Sequence, residues 1–227
     1  MAEIRGQVRA DGKPASGATV LFVTREMDAL LGATTTDASG AFTSRISGGD
    51  HSGAIALARV SGSVVGLQQR PVDVARPEPL TFDFDLSRDF VRLDGDIESS
   101  GGRPDVLDVW LNPVSLEGIP QQLQRFFRQQ GPGVFNAYFS KVAVKGDSFS
   151  FRVQRGTYQL GGDRVNYDRA VIGEPKEKNY VVHAATLAPE NTPLQGDETL
   201  GFSIQADRDR KVVLWLRVVE QAELQRG

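Results

Sequence analysis

Between Leu80 and Leu86 the chain reads Leu-Thr-Phe-Asp-Phe-Asp-Leu, an unbroken apolar–polar alternation. A period of two belongs to the pleated strand, so Leu80, Phe82, Phe84 and Leu86 share one face while Thr81, Asp83 and Asp85 face water. Ile4–Val8 and Ala41–Ile46 also alternate, Ala18–Val23 is a near-continuous apolar run suited to a buried strand, and Gly53–Val60 and Ser63–Leu67 read as a further pair, with Gly, Pro or Asp between the runs. Several strands at this spacing, with turn residues between them, predict a sandwich or barrel. A chain of 227 residues allows one large or two small domains.

The second half repeats the order of the first. Gly6-x-Val8, Gly12-Lys13-Pro14 and Val20-Leu21-Phe22 are followed, at nearly the same spacing, by Gly95-x-Ile97, Gly102-Arg103-Pro104 and Val109-Trp110-Leu111. Gly40-Ala41-Phe42 has its counterpart around Gly146 to Phe149. Self-similarity of this kind points to duplicated units. The reading is therefore all-β, with two tandem Ig/transthyretin-like β-sandwich domains over residues 1–87 and 88–227. The second carries an insertion at about 115–144 and ends in a β-hairpin, Leu200–Ala206 with Lys211–Val219. Within the insertion, Ile119, Leu123, Phe126 and Phe127 recur at helical spacing, and Gly131-Pro132-Gly133 stops the helix. A strand-like run with Phe135, Tyr138 and Phe139 follows.

The N-terminal pattern Ile4-x-Gly6-x-Val8-x-x-Asp11-Gly12-x-Pro14-x-x-Gly17-Ala18-x-Val20, with Thr35-Thr36-Asp37-x-x-Gly40-x-Phe42, resembles the carboxypeptidase regulatory-like domain, a transthyretin-like (prealbumin-like) sandwich. The resemblance covers residues 4–86, with Gly53-Ala54-Ile55-Ala56 in place of the usual Gly-x-Tyr strand; residues 91–161 carry a more distant copy. It implies an accessory role beside other activities, with no substrate and no catalytic residues. The physics of the pattern stands beside it. Gly12 and Gly40 suit turns of positive φ, and Pro14 suits a strand entry or edge.

Chemistry is sparse. There is no cysteine, which excludes disulfides, Cys-ligated metal and Cys nucleophiles. His51 and His183 are the two histidines, and neither has a companion at metal-motif spacing. No Gly-x-Ser-x-Gly elbow occurs, and Gly48–Gly53 lacks the Lys-Ser/Thr of a phosphate loop. Asp94/Asp96 and Asp207/Asp209 offer carboxylates without a complete calcium loop. A net charge of −3 gives no general pull toward nucleic acid, and no run approaches the about 18 apolar residues of a membrane span.

The functional expectation is a non-catalytic structural or protein-interaction module, a subunit or adaptor of a larger assembly, working without cofactor and with a protein partner or a second copy. The candidate contact residues are Ile119, Leu123, Phe126, Phe127, Phe135, Tyr138 and Phe139, because aromatic residues with Arg concentrate at interface centres. The alternative for the helix is docking onto its own sandwich. The alternative function is carbohydrate or small-ligand binding, with Trp110, Tyr138, Tyr158 or Trp215 stacking on sugar rings, although both tryptophans sit in apolar runs that favour core packing. A chain without cysteine or visible leader is expected in the cytoplasm, or exported if a signal has been removed.

Overall fold

The computed structural model describes residues 1–46, 53–60, 63–129, 140–164 and 179–219. It is all-β apart from one short helix among the described residues. The first half contributes β1 (Ala2–Ala10), β2 (Lys13–Pro14), β3 (Thr19–Thr24), β4 (Leu30–Thr35), β5 (Ala41–Ile46), β6 (Gly53–Val60), β7 (Val64–Asp73) and β8 (Leu80–Phe84). The second half opens with β9 (Phe90–Ser99), β10 (Leu107–Leu116), α1 (Gln121–Gln129) and β11 (Ser140–Val144). It continues with β12 (Ser148–Gln154), β13 (Gly156–Arg164), β14 (Asn179–Ala188), β15 (Thr192–Pro193), β16 (Gly196–Asp197), β17 (Gly201–Ala206) and β18 (Arg210–Val219).

One pairing scheme occurs twice. In the first half β1 lies between antiparallel β5 and parallel β8, while β4, β3, β6 and β7 run side by side, all antiparallel. In the second, β9 lies between antiparallel β12 and parallel β18, while β11, β10, β13 and β17 run side by side, all antiparallel. β14 is added on the outer side of β18. The match extends to single residues. Gly6 pairs with Phe42 and Gly95 with Phe149, and in both places a Cβ on the glycine would run into the phenyl ring. Two residues after each glycine, Val8 N–H donates to Gly40 O and Ile97 N–H to Asp147 O, each at 2.8 Å. The sequence pattern repeats because a cross-strand ring needs a strand glycine beneath it.

Turn chemistry follows the sequence reading. Asp37 Oδ1 accepts from the Ser39 and Ala41 amides at 2.8 and 3.1 Å, and Gly40 closes the turn at φ +75°. In the first half, the inward side chains Ile4, Val8, Phe42, Phe82 and Phe84 meet Val20, Phe22, Ala56 and Val72 of the opposing sheet in one cluster. The second half encloses Leu93, Phe151 and Leu214 with Val109, Tyr158 and Ile204 in the same way. This is the packing of a β-sandwich.

The halves are not joined by a bare linker. β7 pairs parallel with β12 through Val64/Arg152 and Val65/Val153, so edge strands of the two halves form one continuous sheet. The outward side chains of the first half's inner sheet, Leu21, Val23, Leu57, Val65 and Leu67, belong to the second half's apolar cluster. Conversely Phe90, at the start of β9, belongs to the first half's cluster and meets Phe84 edge-on at 6.1 Å.

Two expectations are corrected. β17 and β18 do not form a hairpin with each other; β17 pairs with β13 and β16, and β18 with β14 and β9. The segment between them crosses from one sheet to the other, and Asp209 Oδ1 accepts the Arg92 amide at 2.8 Å where the start of β18 comes beside β9. Trp215 is 40% exposed on the outer face of β18, since Val212, Leu214 and Leu216 take the inward positions of its alternation.

Candidate functional site

Gly118, at φ +76°, and Pro120 turn the chain out of β10 and into α1. Pro at a helix entry loses nothing, because its missing N–H is one of those left unpaired there. Ile119 is 8% exposed, Leu123 0% and Phe126 4%. They share an apolar cluster with Leu21, Leu57 and Leu67 of the first half and Leu116 and Tyr158 of the second. Gln122 Nε2 donates to the Glu26 carbonyl at 2.7 Å, fixing the helix to the β3–β4 turn. These three candidate contact residues therefore face the chain's own interior, where the halves meet, and offer no surface to a partner. The Phe127 side chain and residues Phe135, Tyr138 and Phe139 lie outside the described part of the structure.

Beside the helix entry lies an open groove of about 480 Å³, whose lining includes Leu67–Arg70 of β7, Phe84 and Phe90, Glu117–Ile119, and Gln154–Arg155. Gln154 organises it. Its Oε1 accepts the Leu67 amide at 2.8 Å and its Nε2 donates to the Glu117 carbonyl at 2.8 Å. Its own carbonyl accepts the Tyr158 hydroxyl at 2.5 Å. One glutamine thus ties β7, the helix entry and the β12–β13 corner. Nothing in the sequence marks it: a Gln at a strand end has no motif, and its partners are 87 and 37 residues away.

The acidic positions considered for a cation are engaged otherwise. Asp94 accepts from Arg92 and from Ser150, the latter at 2.7 Å; burial raises its pKa, but these bonds outweigh it and hold the carboxyl below its ordinary value. Asp96 pairs with Lys211 at 2.7 Å and Asp207 with Arg210 at 2.8 Å. Among the described residues no group of three or more His, Asp or Glu is placed to hold a metal. His183 is exposed and occupies the bulge between Val182 and Ala184 of β14; nearby, the hydrogen bonds from Arg217 hold the Glu198 carboxyl below its ordinary value. Half-buried Asp163 is pushed upward by burial and by neighbouring Asp108, against the pull of Lys141. Burial pulls the Arg59 guanidinium down to about 10. Trp110 lies against Gly161 and Gly201, where a Cβ on either would strike the indole, and Asn112, Gln159 and Ser203 form the next cross-strand row. No helix among the described residues is long and apolar enough to cross a membrane.

No family model matches the chain, and no curated protein matches it. Among solved structures it is similar to the Bacillus anthracis TIE protein, at 11% identity and a TM-score of 0.28, over 94% of this chain. This chain spans 33% of the length of that protein. It is also similar to the shaft pilin SpaA of Lactobacillus rhamnosus GG, at 7% identity and TM-score 0.28, covering 96% of this chain and 99% of that one. The major pilin protein of Streptococcus pyogenes matches at 10% identity and TM-score 0.25, covering 96% and 97%. No family is assigned by these likenesses. Scores at this level carry neither a shared fold nor a shared function.

Proposed function

We infer that the chain is a non-catalytic structural or protein-interaction module, built as two tandem transthyretin-like sandwiches of the carboxypeptidase regulatory-like kind and serving as a subunit or adaptor of a larger assembly. The observation that carries this reading is the junction. A repeated scaffold, with Gly6/Phe42 answered by Gly95/Phe149, is locked across its halves by the β7–β12 pairing, by Gln154 and by the helix. Such a body holds two sets of loops at a fixed spacing and orientation, which is the physical requirement of a spacer or adaptor. In-cell crosslinking from cysteines placed at exposed positions such as Thr35 and Ser150, read by mass spectrometry, tests it. Reproducible crosslinks to one protein species or to a second copy support the reading. A strictly monomeric chain without crosslinked partner overturns it, and fractionation of the same cells separates the cytoplasmic from the exported location.

A second reading, carbohydrate binding, is favoured by one observation: the Trp110 indole lies over two strand glycines, in the row next to Asn112 and Gln159. An indole flanked by hydrogen-bonding groups suits the apolar face and hydroxyls of a sugar. A glycan array without hits removes this reading, and a hit that survives Trp110→Ala removes the assignment to this face.

A further inference from the structure

β12 and β7 form a parallel ladder that stops short. In a parallel pair every second residue of one strand donates to the carbonyl before its partner and accepts from the amide after it. Arg152 N–H donates to Ser63 O at 2.7 Å, as this scheme requires. The next acceptor for β7 should be the Gln154 carbonyl. That carbonyl is taken by the Tyr158 hydroxyl, and the Gln154 side-chain oxygen receives the Leu67 amide in its place. At Arg155 the chain leaves for β13, and among the described residues β7 runs on without a neighbour on this side.

The Leu67 amide points away from β6, so by the alternation of the ladder the Leu67 carbonyl and the Gln69 amide do so too. Among the described residues neither group has a hydrogen-bond partner in the protein, and both belong to residues lining the groove. Beyond them the edge closes: the Gln69 carbonyl accepts from Arg70 Nη1 at 3.1 Å, and Pro71 has no amide to give. The open length is one residue of ladder, and the groove around it has room for about three residues at about 3.3 Å each.

We propose that this groove binds a short extended peptide of a protein partner as a parallel strand continuing β12 along β7, its central residue donating to Leu67 O and accepting from Gln69 N–H. Strand addition of this kind draws affinity from main-chain bonds and selectivity from alternate side chains. The central side chain lies beside Gln68, on the side of Phe84 and Phe90, and its two neighbours lie on the Ile119 side. The rim carries Arg70 and Arg155 against Asp89 and Glu117, a balance of sign that suits an uncharged segment. β-branched residues suit it further, because they hold the extended form.

The inference rests on the interaction reading and fails separately from it, since a partner whose binding this groove does not govern leaves that reading intact. The probe is acetyl-Val-Thr-Val-amide, titrated into the isotope-labelled full chain and followed by amide resonances. Saturable shifts centred on Gln69, with slowed exchange of its amide, are expected at millimolar peptide. The same peptide methylated at the Thr nitrogen cannot donate to Leu67 O and should bind about tenfold more weakly. Gln69→Pro removes the other bond at a position of the same alternation as Pro71, and should weaken binding by a similar factor while circular dichroism stays unchanged. Absence of shifts at Leu67–Arg70, or equal affinity for the methylated peptide, overturns the proposal.

Discussion

Replacing Gln154 by Leu should destabilise the whole chain by about 1.5–3.5 kcal/mol. Leu keeps most of the volume, so packing changes little. The Leu67 amide belongs to a residue only 5% exposed, and it loses its acceptor. A buried donor left unpaired costs about 1–3 kcal/mol. The bond from Nε2 to the Glu117 carbonyl is exposed and adds about 0.5 kcal/mol. For a chain of this size the sum lowers the melting temperature by about 3–14 °C. Gln154→Glu keeps an acceptor for the Leu67 amide but turns its second oxygen against the Glu117 carbonyl, so it should cost at least the exposed bond, about 0.5 kcal/mol, and less than Gln154→Leu. Urea unfolding followed by circular dichroism measures both. A change below about 0.5 kcal/mol for Gln154→Leu, the range of ordinary surface substitutions, would refute the claim that this side chain ties the junction.

Three further outcomes follow from the same geometry. Leu123→Ala, at a fully buried position, should cost about 2–5 kcal/mol in urea unfolding; a cost typical of a surface helix would mean that α1 is undocked in solution. Gly95→Ala forces a cross-strand phenyl to move and should cost about 1–3 kcal/mol, and Gly6→Ala, which meets the Leu80 carbonyl as well as the Phe42 ring, should cost at least as much; a neutral result at either site would contradict the ring-over-glycine packing there. Asp163→Asn should raise the melting temperature at pH 7. The folded-state pKa of Asp163 lies above its unfolded value, so its ionised form opposes folding, and that penalty disappears as pH falls below the unfolded pKa of about 3.9. A gain that persists at pH 3, or no gain at pH 7, would contradict the assignment.

How far the sequence carries can be judged residue by residue. The strands were legible where one face is dry: Leu80–Leu86 and Ala41–Ile46 alternate because their outward positions meet water. The repeat was legible through Gly6 and Gly95, since a strand glycine under a phenyl ring is a local requirement visible in two short words. The helix was legible from its stripe, but not the surface it covers. Ala18–Val23 reads as a continuous apolar run because both faces of β3 are buried, one by its own sandwich and the other by the second half; the run announces two-sided burial without naming what lies on each side. Strand partners were less accessible still. Leu200–Ala206 and Lys211–Val219 carry every local sign of a hairpin, yet a single distant bond from Asp209 to Arg92 accompanies their separation into different sheets. Gln154 and the open edge of β7 are products of where β12 ends, a fact of topology that no residue pattern encodes.

The shared ladder and the shared apolar cluster make the two halves one cooperative body. Every Trp and Tyr lies after residue 88, so intrinsic fluorescence reports the second half alone, whereas circular dichroism reports the strands of both. Equilibrium urea unfolding followed by both signals should give superimposable curves with one midpoint. A second transition seen by circular dichroism and absent from fluorescence would contradict it.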